Sequence, residues 1–196
     1  DSVMTVHLKG TFNTCRHASS PMREQRFGRI INIASGVWLG TTGQSNYSSA
    51  KGGIVSFTYS LARELGRYGV TCNCIAPMAA TRMTLTEEVI AGYRKRLEAG
   101  LITKEQYDEY MDMPGPEFVA PAVVYLATEA AANINGQVIR AAGGQVALYS
   151  VPAVIRSLHK DYKKDGPWTV EELINLVPKT LLVGYINPAP AEERGK

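Results

Sequence analysis

Ile30-Ile31-Asn32-Ile33-Ala34-Ser35-Gly36, followed by Asn46-Tyr47-Ser48-Ser49-Ala50-Lys51-Gly52-Gly53 with Tyr47 twelve residues after Ser35, is the stretch that decides the fold. Residues 30–34 are a short β-branched run of the kind that fills a buried parallel strand. A Gly- and Thr-rich loop, residues 36–44, leads into a predicted helix over 46–67, with Ala50, Ile54, Phe57, Leu61 and Leu65 as its buried stripe. Gly69 ends that helix. Residues 70–75 form a second apolar strand, terminated by Ala76-Pro77. Strand, helix and strand with short connections predict a parallel α/β sheet with right-handed crossovers.

Working outward, residues 2–23 read as a helix with Val3, Val6, Gly10, Thr14 and Cys15 along one face. Residues 78–116 are polar and helical in two pieces, about 86–99 and 103–111, a segment too long for a plain connection and expected to be a lid or insertion. A helix over 117–127 and a last strand over 136–140 follow, with Gly143-Gly144 ending the strand. Residues 1–147 are expected to be one catalytic domain and 148–196 a C-terminal extension. The extension shows helical patterns at 154–159 and 169–176 and a disordered end at 188–196. Trp168 is expected to anchor it onto the body.

Composition limits the function classes. Hydrophobic residues are 45% and charged residues 20% of the chain, ordinary values for a globular protein. A net charge of +3, with scattered basic residues and no interleaved aromatics, argues against nucleic acid as a partner. No apolar run reaches the length of a membrane span, and the first residues do not read as a signal peptide. The three cysteines include Cys72 and Cys74, which share one face of a strand; without a second Cys or His pair no metal site is expected. They read as buried thiols of a reducing cytoplasm.

Tyr47 and Lys51 lie four residues apart on the predicted helix and so on one face, one turn apart. A phenol is a poor acid or base near neutrality, and a cation one turn away favours its phenolate. Ser35 follows the carboxyl end of a parallel strand, where open α/β sheets hold their ligands. Its hydroxyl is placed to steady a carbonyl or alcohol oxygen. Such a trio moves a proton; no side chain carries hydride, so a nicotinamide cofactor is implied. Trp38 is a pocket-wall or packing candidate, while Tyr93, Tyr107, Tyr110, Met111 and Met113 fit a core stripe better than a lid over an apolar substrate.

A bare Tyr-x-x-x-Lys is weak, but here it stands in register with residues 31–36, with Val70-Thr71-Cys72-Asn73-Cys74-Ile75-Ala76-Pro77 and with Asn133-Ile134-Asn135-Gly136-Gln137-Val138-Ile139. Residues 1–147 thereby resemble the C-terminal part of the short-chain dehydrogenase/reductase family. The resemblance implies a Rossmann-type, doubly wound parallel sheet and an enzyme that interconverts a secondary alcohol and a ketone with NAD or NADP. It assigns Ser35 to the substrate oxygen, Tyr47 to acid/base work, and Lys51 to the phenol and the nicotinamide ribose. Pro77, Met78, Ala79 and the Thr81 hydroxyl match positions that contact the nicotinamide amide. It further implies a homo-oligomer, dimer or tetramer, built through the helices at 2–23 and 46–67.

Three departures stand out. The opening strands and the G-x-x-x-G-x-G turn of the family are absent, on the order of a hundred residues by this comparison. That leaves a competing expectation: a truncated, non-catalytic fragment unable to bind cofactor, with an exposed sheet edge. His7 occupies the helical position where the family usually presents an asparagine to a proton relay, and is a candidate catalytic residue or a packing residue. Met78 follows Pro77 where glycine is usual. Residues 76–84, with His7 in Val-His-Leu-Lys-Gly, look like the 3-hydroxyacyl-CoA dehydrogenase domain of multifunctional β-oxidation enzymes and suggest a 3-hydroxyacyl thioester or other bulky hydroxy/keto substrate.

Overall fold

The computed structural model describes residues 1–188 and divides the chain into two compact units, Asp1–Val151 and Pro152–Lys196. The first unit is a four-stranded sheet in the order β1-β2-β3-β4 with helices packed on it. Strands β1 (Gly28–Ile33), β2 (Val70–Met78) and β3 (Val138–Ala142) run parallel, and β4 (Gln145–Leu148) returns antiparallel to β3. Ile33 pairs with Ile75, and Ile75 with Ile139, across the three parallel strands.

β2 is central and buried on both faces along Val70–Ala76, including the polar Thr71 and Asn73. On one side Cys72 and Cys74 pack under helix α2 (Ser45–Leu65) with Leu61, Leu65, Ile54 and Val55. On the other, Ile75 packs with Leu126, Ala131 and Ala141, below helix α5 (Ala120–Ala127). The two buried asparagines are paired: Asn32 Nδ2 donates to Thr58 Oγ1 at 2.9 Å, and Asn73 Nδ2 to the Ile134 carbonyl at 2.7 Å, while the buried Thr71 hydroxyl has no hydrogen-bond partner among the described residues. All three cysteines are buried free thiols, and burial pushes the Cys74 thiol up to about 11, so none is a ready nucleophile.

The first helix departs from a plain α-helix. Met4–Lys9 is π-helical and runs directly into α1 (Gly10–Glu24). Such a turn admits one extra residue and is common at functional sites. Gly53 of α2 lets this segment come close: a Cβ there would lie 2.9 Å from Leu8 Cδ2. Gly69, at φ +74°, makes the turn into β2, where a Cβ would lie 2.6 Å from the Arg26 carbonyl oxygen.

Two expectations need correction. Gly143-Gly144 ends β3 but is also a two-residue hairpin turn into β4, with Gly143 at φ +53° supplying the left-handed conformation such turns need. Residues 154–159 are not helical. Val154 and Ile155 are 87% and 85% exposed, so six residues have no apolar face to bury and cannot offset helix nucleation. The second tail pattern does form a helix, α7 (Val170–Thr180), opened by a Thr169/Glu172 capping box, with a short α6 (Tyr162–Asp165) before it. Within the tail, Lys160 bonds Glu172 and sits 5.3 Å from the Trp168 ring centroid. Apart from Pro188, the expected disordered end lies outside the described residues.

The 78–116 segment forms α3 (Glu87–Glu98) and α4 (Lys104–Met111), with Thr86 and Thr103 as N-caps. Tyr93 and Tyr110 stack at 3.7 Å between ring centroids, and the Tyr110 hydroxyl donates to the Thr84 carbonyl. At the base, the Ala80 N–H donates to the Pro114 carbonyl at 2.7 Å, closing the segment onto the end of β2. No helix among the described residues is long and apolar enough to cross a membrane.

Candidate active site

The site is assembled at the carboxyl ends of β1 and β2. The Ala34 N–H donates to the Ile75 carbonyl at 2.8 Å, fixing the exit of β1 against β2. Ser35 follows in extended conformation (φ −168°), and its carbonyl accepts from Trp38 N–H to start a 3₁₀ turn over Gly36–Leu39. The Ser35 and Tyr47 hydroxyls make no hydrogen bond to any described residue, so the fold does not use either one.

Lys51 is the pivot. Its residue is 6% exposed, and Nζ donates to the Ile33 carbonyl at 2.9 Å, which ties α2 to the last residue of β1, two before Ser35. The same ammonium lies 5.5 Å from the Tyr47 ring centroid. Burial lowers the Lys51 pKa from its ordinary value, the cost of holding a cation away from water. An ammonium carries three donors, so one bond to Ile33 leaves two for a ligand.

His7 is brought onto the same cluster by the π-helical turn. Its ring meets the Tyr47 ring edge-on, 5.1 Å between centroids at 72°. Burial first, and the Lys51 charge second, lower its pKa, so the neutral imidazole is the form held beside Tyr47 at neutral pH. The Thr11 hydroxyl donates to the His7 carbonyl at 2.7 Å and braces the turn.

The positions matched to a cofactor amide lie one strand over. Pro77 and Met78 close β2, and Ala79 is buried behind them. The Thr81 hydroxyl accepts from Met83 and Thr84 N–H at 3.2 Å and lies 3.1 Å from Thr84 Oγ1, so it is engaged in its own turn. The Ile33 carbonyl that receives Lys51 was not legible beforehand, because a main-chain acceptor leaves no side-chain signal. Trp38 packs edge-on against Tyr149 at 5.6 Å, a packing role within the core under α2.

A nicotinamide cofactor fits part of this arrangement. The two unused Lys51 donors and the Tyr47 hydroxyl suit a ribose diol, beside the strand ends that carry Ser35 and Pro77. No G-x-x-x-G-x-G turn is present in the chain to hold its pyrophosphate. Among the described residues no His, Cys, Asp and Glu cluster could hold a metal ion.

Comparisons with known proteins agree with the geometry. The family model described as enoyl-(acyl carrier protein) reductase matches residues 1–145. Hydroxyacyl-CoA dehydrogenase ChsB1 of Mycobacterium tuberculosis is 40% identical over 170 residues, 82% of this chain and 50% of that protein. The peroxisomal hydratase-dehydrogenase-epimerase of Neurospora crassa is 38% identical over 148 residues, 75% of this chain and 14% of that protein. The crystal structure of a short chain dehydrogenase from Mycobacterium avium superposes with a TM-score of 0.71 at 36% identity, covering 97% of this chain and 58% of that one. The chain thus spans about half the length of the first and of the last of these.

Proposed function

The chain belongs to the short-chain dehydrogenase/reductase family, and from that premise we propose that it carries the proton-transfer side of an NAD(P)-dependent oxidoreductase site. The reaction interconverts a secondary alcohol and a ketone. The observation that carries this reading is the buried Lys51 ammonium, bonded to the end of the strand that leads into Ser35 and set beside the Tyr47 ring.

When bound, a nicotinamide cofactor accepts or supplies hydride at the substrate carbon. The rest falls to this chain. Ser35 donates its unused hydroxyl to the substrate oxygen and holds it at the strand ends. In the oxidation direction, Tyr47 takes the alcohol proton at its phenol oxygen; in reduction it returns that proton to the ketone oxygen. Lys51 keeps a positive charge next to the phenol and directs its two remaining N–H groups to the cofactor ribose. His7, neutral and edge-on to Tyr47, fixes the ring and is the route by which a proton leaves the phenol. Pro77, Met78 and Ala79 present main chain to the nicotinamide amide, and Thr81 contributes its hydroxyl once its turn opens.

The substrate in this reading is a 3-hydroxyacyl thioester or its 3-oxo counterpart, supported by 40% identity to a protein named as a hydroxyacyl-CoA dehydrogenase. The working form is a homo-oligomer, dimer or tetramer, supported by the apolar surface of the first helix, where Val6 is 68% and Phe12 49% exposed. The test is incubation of the chain with 3-hydroxybutyryl-CoA and NAD⁺ or NADP⁺, followed by the absorbance of the reduced cofactor. Turnover with the thioester is expected. Turnover of simple secondary alcohols with none of the thioester would remove the substrate class while keeping the reaction.

A further inference from the structure

At the opposite end of α2, arginines converge on one ring. The guanidinium carbons of Arg23 and Arg67 each lie 4.8 Å from the Tyr68 ring centroid, and that of Arg26 lies 5.9 Å away. Arg23 Nη2 also donates to the Tyr68 hydroxyl at 3.4 Å. Arg23, Arg67 and Tyr68, with Arg63, Glu64 and Leu65, line a surface depression of about 410 Å³. We propose that this arginine-rimmed depression is a binding site for a small, multiply charged phosphate anion, separate from the Tyr47–Lys51 site.

Charge and geometry carry it. Three cations share one ring, within 5.9 Å of its centroid, and none of these guanidiniums is in a salt bridge among the described residues, where the ion pairs are Lys104–Asp108 and Lys160–Glu172. A helix C-terminus attracts a basic residue, but the Arg26 bond to the Arg67 carbonyl at 2.9 Å already meets that need. It leaves Arg23 and Arg67 unexplained. Arg26 is the one non-glycine with a left-handed backbone among the described residues, at φ +54°. That backbone closes the C-terminal turn of α1, with the Arg26 and Phe27 N–H groups donating to the Arg23 and Met22 carbonyls at 3.3 and 3.2 Å, and it carries the Arg26 guanidinium to the edge of the cluster.

Planar guanidinium forks match phosphate oxygens two at a time, which a halide or a lone carboxylate does not exploit as well. The volume suits a small molecule rather than a polymer. The cluster also has its own reporter: the Arg23 hydrogen bond, with the neighbouring charges, holds the Tyr68 phenol below its usual pKa. The location separates it from the reaction site, because Tyr68 follows Tyr47 by 21 residues, about 30 Å along a helix.

The test is calorimetric titration of the chain with inorganic pyrophosphate at low ionic strength. Saturable binding with one site per chain is expected. Arg23 and Arg67 are exposed, so the variant carrying Arg23→Gln and Arg67→Gln is expected to keep its circular dichroism spectrum and to bind at least about tenfold more weakly. In parallel, ¹³C NMR of the tyrosine ring carbons should show the Tyr68 titration moving upward when pyrophosphate is present. Non-saturable heat overturns the proposal. So does an equal loss in a control carrying Arg94→Gln and Arg96→Gln on α3, since that outcome means a diffuse charge effect. A Tyr68 titration indifferent to pyrophosphate overturns it as well, whatever happens to the double variant.

Discussion

Tyr47→Phe is expected to lower turnover by about 10²- to 10⁴-fold, the usual contribution of a placed general acid or base, while leaving the fold unchanged. The structure explains why the two effects separate. The Tyr47 hydroxyl makes no hydrogen bond within the described fold, so its removal leaves no buried partner unpaired. The ring keeps its edge-on contact with His7 at 5.1 Å and its place beside Lys51 at 5.5 Å. The variant should therefore melt with the parent and lose the chemistry alone. Substantial turnover in a folded Tyr47→Phe protein would show that the proton goes elsewhere.

The largest effect on stability is expected at Ile75→Ala. Ile75 is fully buried at the middle of the central strand, in register with Ile33 on one side and Ile139 on the other. Its side chain meets Leu126, Ala131 and Ala141. The two alanines are too short to close over the space left behind, so both lost transfer free energy and a residual cavity contribute, about 2–5 kcal/mol in total. Urea unfolding of the parent and variant, compared at equal m-value, measures it. A loss below about 1 kcal/mol would mean that the face under α5 is not packed as described. This burden falls on the core and not on the reaction: Ile75 reaches the site only through its carbonyl, which accepts from the Ala34 N–H.

Much of the fold is legible from residues alone because its signals are local. The runs at 30–34 and 70–75 are short, rich in β-branched residues and free of charge, as strands covered on both faces are. The spacing of Tyr47 and Lys51 survives as one helical face. The antiparallel β4 is not legible in the sequence because a glycine pair such as Gly143-Gly144 serves equally as a strand stop and as a hairpin turn. The 154–159 pattern misled for the opposite reason: a few apolar residues at helical spacing mean little without a surface to cover them.

Within the candidate site, side chains were readable and main chain was not. The spacing of Ser35, Tyr47 and Lys51 pointed to one locus, but the Ile33 carbonyl that orients the lysine carries no residue-specific mark. His7 could be placed on a helix, whereas the π-helical turn that swings it onto Tyr47 depends on tertiary contact with Gly53. Thr81 shows the converse. Its hydroxyl invites a ligand assignment, yet here it is bonded into its own turn by Met83 and Thr84. The arginine cluster at Tyr68 could not be foreseen, since Arg23 and Arg26 come from one side of β1 and Arg67 from a helix end some forty residues on.

The most direct measurement of the central claim is titration of the folded chain with NADH and with NADPH, followed by calorimetry and by tryptophan fluorescence. Saturable binding of at least one of the two, weakened by Lys51→Met, is the predicted result, because Lys51 has two donors free for the ribose. Absence of saturable binding to either, in a chain whose circular dichroism shows it folded, would contradict the claim that Lys51 and Tyr47 form a working nicotinamide site in this chain.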